Sequence, residues 1–184
     1  MKTRKFLSIA LFTVVLGATS FAQKTVMVGG AAMFPTKNIV ENAMNSKDHT
    51  TLVAAVKAAG LVETLQSKGP FTVFAPTNAA FNKLPKGTVE TLLMPENMKM
   101  LQTILTYHVV AGKMNASDIA EAIKKGNGKA TMKTVSGGTL TAWMKGKKLY
   151  ISDENMNKAK VKIADVNQSN GVIHVINAVV LPKK

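Results

Sequence analysis

The spacing of apolar residues changes near residue 126 of this 184-residue chain. Before that point apolar residues recur every three or four positions, as at residues 52, 53, 56 and 59, a spacing typical of amphipathic helices. Beyond it, short apolar runs are separated by glycine-containing turns at residues 137–138 and 145–147. Helices in the first half and strands in the second predict an α+β fold.

The pattern also predicts the individual elements. Helices are expected over residues 37–45, 50–59, 61–65, 79–81, 88–93, 95–107 and 117–125. Strands are expected over residues 71–74, 108–110, 130–135, 139–144, 149–152, 161–164, 172–176 and 179–181. Because the sequence shows no internal repeat or low-complexity linker, residues 37–184 are predicted to form a single domain. Residues 23–36 form a leader, which either adds an edge strand at 25–28 or remains mobile.

Residues 71–81 combine the end of a strand with the start of a helix. The apolar strand stops at Pro76, and Thr77 and Asn78 are residue types that begin turns or cap helices. This arrangement places the stretch at the centre of a core as a strand-to-helix corner. The corner requires the burial of three phenylalanines, Phe71, Phe74 and Phe81.

The first 22 residues have the features of a cleaved secretory signal. A basic start at residues 2–5 precedes an apolar run at residues 6–16 that is too short to span a bilayer. Ser20 and Ala22 are the small residues of a cleavage site, so Gln23 is the predicted mature N-terminus. An uncleaved anchor is the alternative. We therefore expect a secreted protein, extracellular or periplasmic, without a transmembrane anchor.

The chain is strongly basic, with a formal net charge of +14. Arg4 is the only arginine, so the predicted mature chain has no guanidinium fork with which to read phosphate or guanine. Specific nucleic-acid binding is therefore not expected. Salt-sensitive attraction to acidic polysaccharides or anionic surfaces is one interpretation of the lysines, and solubility is the other.

Few residues offer catalytic or metal-binding chemistry. The chain has no cysteine, and its three histidines (His49, His108 and His174) lack the spacing that places two on one face. Nucleophile motifs, paired carboxylates and phosphate loops are also missing from the sequence. His108 ends an apolar helix stripe and His174 lies in an apolar strand, so both are predicted to be buried and hydrogen-bonded. The sequence predicts no catalytic residue, no metal, no cofactor and no enzymatic activity.

Met94, Met98 and Met100 form a cluster with two interpretations. Thioethers of an exported protein can hold Cu(I). Met98 continues an apolar helix stripe, however, and methionine often fills gaps in cores. The core interpretation is favoured.

Three segments resemble the signatures of the fasciclin domain family. They are residues 72–81 (TVFAPTNAAF), residues 105–114 (LTYHVVAGKM) and residues 170–182 (NGVIHVINAVVLP). The resemblance implies a wedge-shaped β-sandwich decorated by several helices, in a family with no general catalytic role. The signature positions that it covers are Phe74, Pro76, Thr77, Asn78, Phe81, Gly171 and His174.

The resemblance also implies candidate contact residues. In animal members of the family, a tyrosine–histidine pair equivalent to Tyr107 and His108 is implicated in integrin-mediated adhesion. Asp118 and Ile119 lie in a segment similar to a second proposed adhesion segment. Both sites have structural explanations as well, because the pair has a core role in the fold and Asp118 suits a helix start.

The implied function is that of a secreted, monomeric binding or adhesion module without chemistry of its own. Its partner would be a cell-surface or matrix protein, or an acidic polysaccharide. The alternative is a carrier of a small apolar ligand, because some family members hold apolar pigments. Trp143, Tyr150 and the methionines would then line a pocket.

Two positions depart from the family pattern. Asn78 and Asn177 stand where the two signatures often have aspartate. Asparagine still accepts a capping hydrogen bond, so the turns are expected to form. Each change removes a negative charge, which argues against a calcium ion or another hard cation at these turns.

Overall fold

The computed structural model describes residues 25–183. The predicted signal peptide, residues 1–22, and the first two positions of the leader lie outside the described residues. The strands are β1 Val26–Val28, β2 Ala31–Met33, β3 Phe71–Pro76, β4 Val109–Ala111, β5 Ala130–Lys133, β6 Thr139–Lys145, β7 Lys148–Ser152, β8 Lys158–Gln168 and β9 Gly171–Ile176.

The seven α-helices of the described residues are short, and all of them precede β5. They are α1 Ile39–Ala43, α2 Thr50–Ala58, α3 Val62–Gln66, α4 Asn78–Phe81, α5 Thr88–Leu92, α6 Met98–Tyr107 and α7 Ala116–Lys125. Two short 3-10 helices, Lys47–His49 and Pro95–Asn97, lead into α2 and α6. None of the helices within residues 25–183 has both the length and the apolar character needed to cross a membrane.

Seven strands form one mixed sheet in the order β4-β3-β9-β8-β7-β6-β5. Strands β3 and β9 run parallel, and the other neighbours are antiparallel. The sheet closes on itself, because Val110 of β4 forms a bridge with Thr134, the residue that follows β5. Apolar side chains from β3 to β9 meet in one cluster together with those of α7, as they would between the layers of a sandwich. The predicted α+β fold is confirmed.

Strands β3 and β9 separate this sandwich core from a second core. Phe74 of β3 belongs to the sandwich core, whereas its neighbours Val73 and Ala75 belong to the second core, because successive strand side chains alternate in direction. The second core packs α1, α2 and α6 against that side of the sheet. Every residue of β9 is buried.

The described part of the leader is packed against the domain. Strands β1 and β2 pair with each other as a separate two-stranded sheet and do not extend the main sheet as an edge strand. Val28 and Met33 are both buried in the second core. Residues 25–36 therefore contribute to the packing of the domain.

Two features of the C-terminal part differ from the predicted pattern. Strand β8 extends well beyond residues 161–164, and its register shifts twice between Val161 and Val166. Asp165 has a φ of 58° at this bulge, which bends the strand from one layer toward the other. The strand predicted at residues 179–181 is wrong, because the Val180 N–H donates to the ring of His108 at 3.2 Å instead of to a strand.

Candidate functional site

Tyr107 lies at the end of α6, inside the protein. Its side chain has no exposed surface, and its hydroxyl donates to the Thr139 carbonyl at 2.6 Å and accepts from the Glu154 N–H at 3.2 Å. Gly138 leaves room for the ring, since a Cβ there would lie 2.5 Å from Cε2 of Tyr107. Burial raises the pKa of Tyr107 to about 12. The residue ties α6 to the start of β6 and to the loop after β7.

His108 follows α6 and is also buried. Its Nδ1 donates to the Ile104 carbonyl at 2.8 Å, and its Nε2 accepts the Val180 N–H at 3.2 Å. Both ring nitrogens are therefore engaged within the protein. The side chain joins the end of α6 to the C-terminal segment and presents no surface to a partner.

The second candidate segment forms the first turn of α7. Asp118 is exposed, and its Oδ2 accepts the N–H of Asn115 at 2.8 Å, which caps the helix. Ile119 is fully buried in the sandwich core, the same core that holds Tyr107. Of the four candidate contact residues, Asp118 alone reaches the surface. A contact role for the four remains a prediction, and the geometry gives each of them a structural role.

The strand-to-helix corner forms where the sequence predicts it. Strand β3 ends at Pro76, and Thr77 caps α4 by accepting a backbone N–H of its first turn at 3.3 Å. Phe74 and Phe81 are buried as predicted. Phe71 is only partly buried, because it stands at the outer end of β3.

Asn78 joins the start of α4 to the start of α2. Its Oδ1 accepts the Thr51 N–H at 3.0 Å, and its Nδ2 donates to the Lys47 carbonyl and to the Thr50 hydroxyl, each at 2.9 Å. An aspartate has no donors for the last two contacts, so the amide suits this corner. Among residues 25–183, no group of three His, Asp or Glu side chains is placed to hold a metal ion.

Gly171 and His174 lie on β9, in the middle of the fold. Gly171 begins the strand in close contact with the backbone of β3. The His174 ring stacks on Phe74 with 5.5 Å between centroids. Its Nε2 donates to the Met114 carbonyl at 2.8 Å, and its Nδ1 accepts the Asp165 N–H at 3.4 Å. The predicted burial and hydrogen bonding of His174 are confirmed.

Burial lowers the pKa of all three histidines. The pKa of His108 falls to about 4, and those of His49 and His174 are lowered for the same reason. Backbone groups and nearby carboxylates act in the opposite direction but do not outweigh burial. The three rings are uncharged at neutral pH, so the positive charge of the surface comes from lysine.

The outer face of β5–β8 carries side chains suited to binding. The strand register places them in rows, in which Trp143 lies opposite Tyr150 and Tyr150 lies opposite Lys160. Lys145 and Lys148 form the next row toward the β6–β7 turn. Directly paired residues share one face, and the intervening residues of these strands are largely buried in the sandwich core.

Trp143 and Tyr150 form a stacked pair on this outer face. Their ring centroids are 5.7 Å apart and their planes differ by 18°. Both side chains are partly exposed. Their strand positions point them away from the sandwich core, and neither lines the cavity of the second core described below.

The same region has no acidic residues. Between Gly126 and Ser152 the chain contains no aspartate or glutamate. Among residues 25–183 the ion pair is Lys125–Glu121 at 3.4 Å, on α7, so the lysines of the outer face have no carboxylate partner there. The lysines of this stretch are Lys129, Lys133, Lys145, Lys147 and Lys148.

A cavity of about 80 Å³ lies in the second core, between α1, α2, α3 and β3. Its lining is almost entirely apolar and includes Leu52, Val56 and Ile173. His49 also lines it, with Nδ1 2.9 Å from the Ser46 hydroxyl and the Ala75 backbone beside its ring. The cavity is large enough for a small apolar group only.

The methionine cluster lies at the surface. Met94, Met98 and Met100 are 46%, 42% and 57% exposed. The core interpretation of Met98 is therefore wrong. Leu101, Ile104 and Leu105 form the buried side of α6 instead.

The sequence profile of the Fasciclin domain matches residues 47–182. The protein belongs to the fasciclin domain family. Its relatives include protein sll1483 of Synechocystis sp., which is 47% identical over 170 residues that cover 92% of this chain and 87% of the relative. Immunogenic protein MPB70 of Mycobacterium bovis is 36% identical over 145 residues, covering 76% of this chain and 66% of the relative.

A solved structure supports the fold of this fasciclin domain. A pair of FAS1 domains from the insect cell adhesion molecule Fasciclin I superposes with a TM-score of 0.69, at 19% identity. The match covers 79% of this chain and 51% of the other, so this chain spans about half of that two-domain structure.

Sequence reasoning missed the outer face of this fasciclin domain as a unit. The signal that could have found it is the two-residue turn at residues 146–147. Counting outward from such a turn pairs Lys145 with Lys148 and Trp143 with Tyr150. The pairing needs only the hairpin register, whereas the position of Lys160 depends on the register of a third strand, β8, which follows a longer loop.

Tyr107→Phe is expected to lower the free energy of unfolding by about 1–2 kcal/mol, because it removes a buried hydroxyl that makes two hydrogen bonds. Urea unfolding of both proteins measures the difference. Tyr150→Phe is a matched control, since its hydroxyl lies on the partly exposed outer face. An unchanged stability of Tyr107→Phe together with weaker partner binding would assign the hydroxyl to contact instead.

Proposed function

We propose that this fasciclin domain is an exported, non-enzymatic binding or adhesion module that attaches to an acidic partner at a cell surface or in a matrix. The observation that carries the proposal is the charge of the outer face of β5–β8. That face combines lysines without carboxylate partners and partly exposed aromatic rings. The partner is a protein or a polysaccharide with many negative charges.

Relatives support an extracytoplasmic setting. The solved FAS1 domain pair belongs to a cell adhesion molecule. MPB83 of Mycobacterium bovis, 34% identical over 161 residues, is a cell surface glycolipoprotein. Residues 1–22 of this chain have the basic start, apolar run and small residues of a secretory signal.

The proposed attachment is electrostatic, because several lysines on one face together attract a polyanion. Exposed lysines attract a polyanion over about 10 Å at 0.1 M salt, and this range shrinks to about 3 Å at 1 M. The lysine ammonium is a point charge without the fixed geometry of a guanidinium group. The affinity of such a surface therefore depends more on the charge density of the partner than on its shape.

Binding to an immobilised acidic polysaccharide is expected to be strong at low salt and to be lost as salt is raised. Chromatography on polygalacturonate and on a neutral dextran resin, each over a salt series, measures the effect. Replacing Lys145, Lys147 and Lys148 by glutamine is expected to move elution to lower salt. Retention that does not change with salt would contradict the proposal.

The matched control replaces three exposed lysines that lie outside the outer face. It keeps the net charge of the first variant and therefore isolates the position of the charges. If both triple variants lower the salt concentration at elution by the same amount, total charge alone determines binding. The control lysines are Lys57, Lys68 and Lys86.

The alternative function, a carrier of a small apolar ligand, is favoured by one observation. The cavity of about 80 Å³ in the second core has an almost entirely apolar lining. A carotenoid-sized pigment does not fit this volume unless the core opens. Absorbance and mass analysis of the protein purified from its own host would reveal a bound apolar compound, which would favour the carrier.

A further inference from the structure

The stacked pair Trp143–Tyr150 lies at the centre of the lysine-rich outer face. Lys160 is directly opposite Tyr150, about 5 Å away across the sheet, because neighbouring strands have that spacing. Lys145 and Lys148 lie one row away, about 7 Å along the strands. Lysines thus lie on two sides of an aromatic platform defined by Trp143 and Tyr150.

Hydroxyl groups occupy the opposite side of the platform. Thr141 precedes Trp143 by two positions on the same face, and it pairs with Thr131 of β5. Lys158 of β8 lies in the same row, across from Ser152. The outer face therefore presents partly exposed aromatic rings, hydroxyls and ammonium groups side by side. Helix α7 contacts β5 and β6 from the other side of the sheet, in the sandwich core.

We infer that this platform binds an acidic polysaccharide, with a sugar ring against Trp143 and Tyr150 and the sugar carboxylates or sulfates at Lys145, Lys148, Lys158 and Lys160. The inference rests on the proposed function and names both the partner class and the residues. The face of an aromatic ring carries negative potential and attracts the polarised C–H groups of a sugar. The lysines neutralise the acid groups, and threonine hydroxyls exchange hydrogen bonds with sugar hydroxyls.

The geometry favours a polysaccharide over two other polyanions. Aromatic residues that anchor a protein in a membrane project into the lipid, whereas Trp143 and Tyr150 are partly buried and stack on each other across two neighbouring strands. Polar threonines also border the rings, where an inserted surface would be apolar. Recognition of nucleic acid commonly uses arginine, and this chain has a single arginine, Arg4, in the predicted signal peptide.

The test compares four probes with the wild-type protein and three variants. The probes are polygalacturonate, poly-L-glutamate, phosphatidylglycerol–phosphatidylcholine vesicles and poly(dT). Poly-L-glutamate carries carboxylates without sugar rings, so it separates charge from ring contact. The variants are Trp143→Ala, Trp143→Phe and Phe34→Ala. Phe34 is a matched control, because it is an exposed aromatic residue with the Lys37 ammonium 5.3 Å from its ring, away from the platform.

Trp143→Ala is expected to weaken binding to polygalacturonate about fivefold to tenfold, within the range for an aromatic contact, while binding to poly-L-glutamate changes less than about twofold. Trp143→Phe keeps a ring and is expected to retain most of the polygalacturonate binding. Phe34→Ala should leave both affinities unchanged. Circular dichroism and thermal melting confirm that each variant is folded. If Trp143→Ala does not fold, Trp143→Gln takes its place with the same expected loss, because the side chain is partly exposed and a polar residue is tolerated there.

The outcomes separate the inference from the proposed function. If both polyanions bind at low salt and Trp143→Ala weakens neither, the polysaccharide inference is wrong and recruitment by charge stands. A larger effect of Trp143→Ala on vesicles or on poly(dT) than on polygalacturonate would also overturn it, in favour of a lipid or nucleic-acid partner. If none of the four probes binds at low salt, the proposed function itself is wrong.

Discussion

Between pH 7 and pH 4 the protein is expected to lose several kcal/mol of its free energy of unfolding. In the unfolded chain a histidine takes up a proton near pH 6.5, whereas folded His108 stays neutral down to about pH 4. Across this window the unfolded state binds a proton that the folded state does not, so stability falls as pH falls. The difference for His108 amounts to about 3 kcal/mol, since one pKa unit corresponds to about 1.4 kcal/mol.

Burial is the main reason why protonation of the rings is unfavourable, and the N–H groups that point at the ring nitrogens act in the same direction. Nε2 of His108 accepts the Val180 N–H, and a proton on that nitrogen would face another donor. His174 has the same arrangement at Nδ1, which accepts the Asp165 N–H. Asp153 acts on His108 and Asp165 acts on His174 to raise each pKa, but burial outweighs both. His49 adds to the effect through its own lowered pKa.

Urea unfolding at pH 7, 6, 5 and 4 measures this loss. Each histidine is expected to contribute a slope of up to about 1.4 kcal/mol per pH unit below pH 6.5. The variant His108→Gln serves as a control, because it is less stable at pH 7 but has a shallower dependence on pH. A free energy of unfolding that stays constant from pH 7 to pH 4.5 would show that the histidines can be protonated in the folded state.

Local signals in the sequence predicted most of the helices and the corner at residues 71–81. Thr77 and Pro76 act within one turn of chain, so their effects do not depend on distant residues. The hairpins β5–β6 and β6–β7 also follow from turn residues and alternation. The long β8 did not follow, because its bulge at Asp165 depends on pairing with β9 on one side and β7 on the other.

The candidate sites likewise include residues whose environment follows from local sequence and residues whose environment depends on distant contacts. His174 was predicted to be buried from its apolar neighbours alone, and the structure confirms it. Met98 was placed in the core by helical periodicity, but the stripe on α6 begins only at Leu101, where the helix contacts the second core. The role of Asn78 as a double donor could not be predicted either, since its partners Lys47 and Thr50 come from a separate segment.

Gly171→Ala is expected to lower the free energy of unfolding by about 3 kcal/mol, the upper part of the range for an overpacked core. A Cβ at this position would lie 2.1 Å from the Phe71 carbonyl oxygen and 3.0 Å from the Phe71 nitrogen. These atoms belong to the backbone of β3, which pairs in parallel with β9 from Phe71 to Pro76. The clash therefore cannot be relieved by a change of rotamer, and the two central strands have to move apart.

The matched control is Gly60→Ala, at a glycine with a φ of +67° and no atom within 4 Å of an added Cβ. Its cost comes from backbone conformation alone and is expected to be about 1 kcal/mol. Urea unfolding gives both values, and hydrogen exchange at the Phe71 amide, which donates to the Asn170 carbonyl at 3.0 Å, reports on the strand junction. Faster exchange at Phe71 is expected only in Gly171→Ala. Equal losses of stability in the two variants would mean that β3 and β9 can separate at little cost, and that the contact at Gly171 does not hold the sheet together.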